Sequence, residues 1–481
     1  MTNIAYDEAA HLLRRLGFGG PPEEISDLAS RGREGAVDYL MDFSQIDNGG
    51  MDRLLAAGFD LSNPDDPAKF NLEEIQRWWF TRMAHTRRQF EEKITLFWHN
   101  HFATAVSKVN ERFMFIQNQT LRNHALDRFD TLLLNVAQDP AMLFWLDGVT
   151  NVRGNPNENW ARELQELFSM GIVDAVTEEQ NYTESDVKEI ARAFTGWTVR
   201  PPGRTDTNRL NYQFAIDPNQ HDEGLKTVYG QTANFSGQDI VTIIAAKPAT
   251  ARFIAKKLFE AFAYPLTSSS ADKAAIDKFA NVYMTSGHSI KSVARAIFTS
   301  DEFFSSRAMF ALVKSPIELV VGSVRMLGAI YNPGTLQRPG GSNILADASS
   351  FLNQQAYNPP DVAGWRPNLA WVNTSTMLNR FTYADFFASS RTANPNAPGL
   401  WLTHDQLKKL TKGSAKKTVS KFLELLGPLS VDAATVRKLR DYLQVNDGGD
   451  VVGFSPDDRT IDQKVRGLVH LIMCLTEFQL C

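Results

Sequence analysis

The sequence predicts a mainly α-helical, compact multi-helix protein with a small β-hairpin or short sheet near residues 197–230. Three observations carry this. Apolar residues recur about every three to four positions over most of the chain, the spacing of a helix with one buried stripe. Clusters of Gly, Pro and Asn punctuate the pattern. The period changes after Trp197, where short runs of β-formers take over.

Helical periodicity covers 7–16, 22–30, 34–43, 72–86, 88–101, 110–126, 130–145, 157–170 and 185–196. Turn signals separate these stretches at Gly17-Phe18-Gly19-Gly20, Asn48-Gly49-Gly50, Asn63-Pro64 and Gly154-Asn155-Pro156. Thr183 and Asp186 have the spacing of an N-cap and its third helical position, which marks a helix start. Runs at 197–200, 210–216 and 225–229 read as strands, with Asp217 to Gly224 as their turn. Helices resume at 238–246, 249–263, 270–286, 289–299, 315–328 and 342–356. Arg338-Pro339-Gly340-Gly341 and 391–400 read as loops. Helices near 404–411, 415–425, 433–444 and 461–478 close the chain. The organisation expected is one unit over 1–481: helical 1–196, the β element, helical 238–390, and a C-terminal helical segment 400–481.

Composition narrows the classes. With 481 residues, 43% hydrophobic, the chain can bury a large core. A net charge of −5 argues against a broad nucleic-acid surface. Lysine pairs such as Lys408-Lys409 and Lys416-Lys417 read as solvated helix faces. Two cysteines, Cys474 and Cys481, exclude a disulfide framework and a cysteine-based zinc site. No apolar run approaches the roughly 20 residues of a membrane helix, so no membrane insertion is expected. No signal peptide is visible at the N-terminus, which points to the cytoplasm. Export with a partner, or loss of a leader, stays open.

The densest chemistry lies in the run Asn157 to Gly171, where Trp160, Leu164, Leu167 and Phe168 form a helical apolar stripe. Asn159, Glu163 and Glu166 share a face at the edge of that stripe. A carboxylate placed there is partly desolvated and needs a partner. Glu163 and Glu166, at i,i+3, repel each other unless a cation, an arginine or a raised pKa relieves them. They are candidates for general acid and base work or for hard metal ligation. Glu158 and Arg162 have the spacing of a helix salt bridge.

His99 and His101 are candidate metal ligands. At i and i+2 on a helix they point about 200° apart. Both reach one metal only where the helix ends near Trp98 or the stretch is extended. The plainer reading is two hydrogen-bonded core histidines. His221 and Asp222 fall in the turn between strands, followed by Lys226, a candidate phosphate or sulfate contact. Trp365 and Trp371 either wall a sugar groove or fill a core. Gly17-Phe18-Gly19-Gly20 follows a helix, so it is not a nucleotide fingerprint. The standard hydrolase, phosphate-loop, zincin and kinase motifs are not in the sequence.

Several unusual strings recur in a fixed order. They are Glu92 to Phe102 (with Phe97-Trp98-His99-Asn100-His101), Asp139-Pro140-Ala141-Met142, Leu146-Asp147, Asn157 to Gly171, and Tyr182 to Val187. Ala191 to Trp197, His221 to Lys226, and Pro359-Pro360-Asp361-Val362-Ala363-Gly364-Trp365 follow. In this order the chain resembles the bacterial domain-of-unknown-function family 1800 over nearly its whole length. The resemblance carries no activity. It implies association with a phosphatase- or sulfatase-like protein encoded nearby. The link from Ile172 to Asn181 is longer than the family's usual pattern.

The function expected from these residues is a metal-assisted hydrolase acting on a small or carbohydrate-like substrate through one polar pocket. Glu163, Glu166, Arg162 and Lys226 would be catalytic. His99, His101, His221 and Asp222 would hold a divalent metal. Asn157, Glu158 and Asn159 would bind. The alternative is a non-catalytic partner or scaffold of a phosphatase- or sulfatase-like protein, its polar cluster a structural hydrogen-bond network.

Overall fold

Helix dominates because the apolar stripes read from the sequence find one another. A computed structural model describes residues 4–59, 70–201, 212–334, 343–390, 397–446 and 448–481. The turn expected at Asn63-Pro64, the loop at 338–341, residues 391–396 of the second loop and residues 210 and 211 of the expected strand lie outside these. Most expected helices form within a few residues of their sequence bounds, among them Tyr6–Leu16, Leu72–His85, Gln89–His101, Pro248–Phe262 and Pro316–Leu327.

Two differences have local causes. The helix expected over 130–145 is two, Phe129–Ala137 and Pro140–Trp145. Asp139 restarts it: its Oδ1 accepts from the N–H groups of Ala141 (2.9 Å) and Met142 (3.4 Å), with Pro140 in the first turn. The helix Thr374–Ser389 was not legible as a stripe. Its apolar residues fall on several faces, so that Leu378 and Phe386 are exposed while Tyr383 and Phe387 are buried.

The β structure consists of small antiparallel pairs. β1 (Trp197–Arg200) pairs with β2 (Gln213–Ile216), and β3 (Lys226–Val228) with β4 (Gln231–Ala233). The 217–224 segment therefore links two hairpins and is not the tip of one. The second hairpin closes through Tyr229 and Gly230, both at positive φ (48° and 77°), as a type I′ turn requires. β5 (Ile330–Asn332) pairs with β6 (Gly399–Trp401), a pairing with no signal in the sequence.

Among the described residues apolar side chains form two large clusters. One includes Leu12, Trp98, Phe129, Leu164, Ile190 and Phe259; the other includes Trp79, Phe113, Val320, Phe387, Phe422 and Val469. The Gln89–His101 helix feeds both, with Phe90, Ile94 and Trp98 in the first and Leu96 in the second. A third, small cluster of Val313, Trp365 and Trp371 stands apart. Among the described residues no helix is long and apolar enough to cross a membrane.

Candidate functional site

The polar run forms a short helix, Asn159–Glu166, with Trp160, Ala161 and Leu164 buried. Asn157 precedes it and accepts from the Asn159 N–H at 2.9 Å; the Asn157 N–H is in turn held by Asn151 Oδ1 at 2.9 Å. Asn159 itself is exposed. Arg162 pairs with Glu184 at 2.6 and 2.8 Å and with Glu158 at 3.4 Å. Glu166 accepts from the Tyr182 hydroxyl at 3.1 Å. Glu163 is half-buried and takes no hydrogen bond from a described residue. Burial, then repulsion from Glu166, pushes its carboxyl up against the pull of Arg162.

The two histidines diverge, because the helix continues through His101. His99 is 1% exposed; its Nε2 accepts from the Tyr357 N–H at 3.2 Å, and its ring meets Trp79, Tyr357 and Trp365. The His101 Nε2 donates to the Phe168 carbonyl at 3.0 Å, and its ring stacks on Phe97. Burial pushes each imidazole down to about 3, with Lys257 adding to the effect at His101. Both are neutral core groups over the physiological range.

The 217–226 segment is held by the turn at the end of the Glu184–Ala193 helix. Gly196, at φ 81°, lets the Asp217 carbonyl come within 2.6 Å of where a Cβ would stand. The His221 Nδ1 donates to the Thr195 carbonyl at 2.8 Å, and the Asp222 N–H to Thr195 Oγ1 at 2.8 Å. Asp222 places both oxygens on Arg192, at 2.8 and 3.2 Å. That guanidinium holds the carboxyl down at about 2. Lys226 is buried and donates to the carbonyls of Asp222 (2.6 Å) and Gly224 (3.0 Å) and to Asn234 Oδ1 (2.8 Å). It clamps its own loop.

His99, His101, His221 and Asp222 each take a partner from their own surroundings. Among the described residues no group of three or more His, Cys, Asp or Glu side chains could hold a metal ion. Each buried or half-buried polar group must be satisfied, and a backbone group or counter-ion satisfies most of them one by one, from as near in the chain as Thr195 for His221 and as far as Tyr357 for His99.

A cavity of about 490 Å³ lies on another face of the Gln89–His101 helix, and Trp365 and Trp371, read from the sequence as groove walls or core residues, both line it. Lys93, Phe97 and Asn100 line it from that helix at i, i+4 and i+7. Glu260 and Phe262 line it from the end of the Pro248–Phe262 helix, and Gln354, Trp365 and Trp371 from the chain after Phe351. Asn100 closes the wall by bonding both backbone groups of Trp365, Nδ2 to the carbonyl and Oδ1 to the N–H. Lys93 forms an ion pair with Glu318, whose other oxygen accepts from the Ser315 N–H at 2.6 Å as part of a capping box. Gln354 is 4% exposed, and its Oε1 accepts from the Ile317 N–H at 2.9 Å.

Behind this helix Glu92, fully buried, accepts from Trp79 (2.9 Å), from Arg82 (2.7 Å) and twice from Arg122 (3.0 and 2.8 Å). Burial raises its carboxyl, but Arg122 and Arg82 more than offset that and bring it to about 2. The network fixes the rotation of the helix, and so which residues face the cavity.

Two strings that carried the resemblance, Phe97 to His101 and Gly364-Trp365, thus meet at the cavity wall. Comparison with known proteins gives a family and nothing closer. No curated protein and no solved structure matches the chain. Residues 11–480 match the family described as a protein of unknown function, DUF1800, and the chain belongs to that family.

Proposed function

We propose that the protein is a binding module, that its recognition site is the cavity beside the Gln89–His101 helix, and that its polar runs are architectural. One observation carries this reading: two segments more than 260 residues apart, each a string of the family resemblance, are hydrogen-bonded to each other at the cavity wall through Asn100 and Trp365. A volume of about 490 Å³ lies within the range of small-molecule sites, roughly 300–1,000 Å³. Mostly apolar walls with a few polar groups suit the same role.

The metal-assisted hydrolase reading has weaker support. His99, His101 and Asp222 are each held by backbone or a counter-ion, and Lys226 is enclosed by three oxygens. The scaffold alternative gains from the same bonds, which form a structural network of the kind it requires. A phosphatase- or sulfatase-like partner rests on the resemblance alone.

Ligand-observed NMR tests the binding reading. A mixed set of neutral, anionic and cationic small molecules is screened against the full chain and against Ala261→Phe, which fills the cavity. Binding to the wild type that the variant loses is the expected result. No binding to the wild type, or equal binding to both, overturns it.

A further inference from the structure

We propose that the cavity selects a small organic cation, an ammonium group carried on a compact apolar body. The proposal rests on the reading of the cavity as the recognition site and goes further by naming the ligand's chemistry.

The charge count comes first. Among the described residues three charged side chains line the cavity: Lys93, Glu260 and Glu318. Lys93 and Glu318 neutralise each other as an ion pair. Glu260 is left over, the charged side chain of this lining that has no ion pair within it. Among the described residues its Oε1 accepts only from the Leu266 N–H, at 3.3 Å, and it has no ion-pair partner. It is nevertheless half-buried. A carboxylate withdrawn from water without a counter-charge is costly. Consistent with this, burial holds the Glu260 carboxyl above its ordinary range, against the opposing pull of Lys256 and Lys257.

The walls favour the same ligand. Phe97, Trp365 and Trp371 line the cavity. An aromatic face attracts a cation, most strongly where water is excluded. An anionic ligand would meet Glu260 with like charge. A neutral ligand would leave that carboxylate desolvated and unpaired. Only a cation gains from the carboxylate and the rings together. Gln354 adds a donor: with its Oε1 engaged by Ile317, its amide nitrogen has no partner among the described residues. A hydroxyl or carbonyl oxygen on the ligand would satisfy it.

Isothermal titration of the full chain tests this with choline and its uncharged carbon isostere, 3,3-dimethylbutan-1-ol. The expected result is that choline binds at least about tenfold more tightly, a difference of about 1.4 kcal/mol. Glu260→Gln should weaken choline by a similar factor and leave the isostere unchanged. A melting curve of Glu260→Gln close to that of the wild type shows the loss to be electrostatic and not a failure to fold. Equal affinity for choline and the isostere overturns the proposal, as does undiminished choline binding in Glu260→Gln. A neutral compound that binds the wild type and not Ala261→Phe, where choline does not bind, overturns the choice of a cation but leaves the cavity as the site. If nothing binds, both fall.

Discussion

Asn100 holds the backbone of Trp365 with both ends of its carboxamide. Its Nδ2 donates to the carbonyl at 3.1 Å, and its Oδ1 accepts from the N–H at 2.7 Å. Trp365 is 6% exposed, so few waters could replace these bonds. The pair does for tertiary structure what a strand partner does in a sheet. It fixes one residue of a loop against a helix and sets the cavity wall.

Asn100→Ala should therefore cost more than a typical surface change. It leaves a buried N–H and a buried carbonyl without partners, roughly 1–3 kcal/mol. Urea unfolding measures this, and a loss below about 0.5 kcal/mol, the range of an ordinary surface substitution, would show that the two bonds are replaceable by water.

Gly364 makes the approach of Asn100 possible. A Cβ at Gly364 would stand 2.4 Å from both the Asn100 carbonyl and its Oδ1, and its φ is 76°. Gly154 supplies the control: its φ is 84°, with nothing within 4 Å of its Cβ position. Gly154→Ala should cost only the left-handed penalty, roughly 1–2 kcal/mol. Gly364→Ala should cost that plus the displacement of Asn100. Equal losses in parallel urea titrations would mean that the loop yields freely at Gly364.

The contrast between local and distant pairing explains what the sequence disclosed. The capping box of Thr183 and Asp186 lies within four residues and was legible as a helix start, and the helix Glu184–Ala193 follows it. The stripe of Trp160, Leu164, Leu167 and Phe168 was legible in the same way, and all are buried but Leu167, which is partly buried. The cavity was legible only in part: Trp365 and Trp371 stood out as walls of a groove or as core residues, Phe97 and Leu312 look like any core residues in one dimension, and the bonds that fix the wall join residue 100 to residue 365. The polar strings drew notice because unpaired charge is costly. Most of them are quiet in the fold because neighbours such as Arg192, Thr195 and Tyr182 pair with them locally, and no sequence period announces such partners.

Asp222 separates the architectural reading of its turn from the metal reading. Removing it leaves Arg192 with Glu189 (2.8 Å) and the Leu225 carbonyl (3.1 Å), and frees the Gly224 N–H. Charge-assisted bonds of this kind contribute roughly 1.5–3 kcal/mol. Asp222→Ala should lower the melting temperature and leave the metal content of purified protein, read by elemental analysis, unchanged. A fall in bound metal would restore the metal reading. The stabilising effect of this carboxylate is present above its unfolded pKa. It fades as the pH falls from about 4 through the folded value near 2, because the folded state holds the ionised form.

His101 should make the fold sensitive to mild acid. Its folded pKa, about 3, lies below its ordinary value of 6.5 because burial disfavours the charged ring. Between those values the unfolded chain takes up a proton that the folded chain refuses. Stability therefore falls as the pH drops from 6.5 toward 3, by up to about 1.4 kcal/mol per pH unit for one such group. His99 acts in the same direction. Asp139 acts in the opposite one: burial raises its carboxyl to about 7, against the N–H groups of Ala141 and Met142 and the Gln117 amide, so it favours the fold below about pH 4 and loses that effect toward 7. The wild-type profile is a sum of such terms, and the informative quantity is the slope of a variant against it. His101→Gln keeps an N–H donor near the Phe168 carbonyl and removes the titration. Its stability at neutral pH should be somewhat lower, through imperfect packing against Phe97. Its decline between about pH 6.5 and about pH 5 should be shallower than that of the wild type by a fraction of that limiting slope. Urea midpoints over that interval measure the difference. Parallel profiles would mean that His101 is hydrated or protonated in the folded protein, and its assignment as a neutral core group would have to be abandoned.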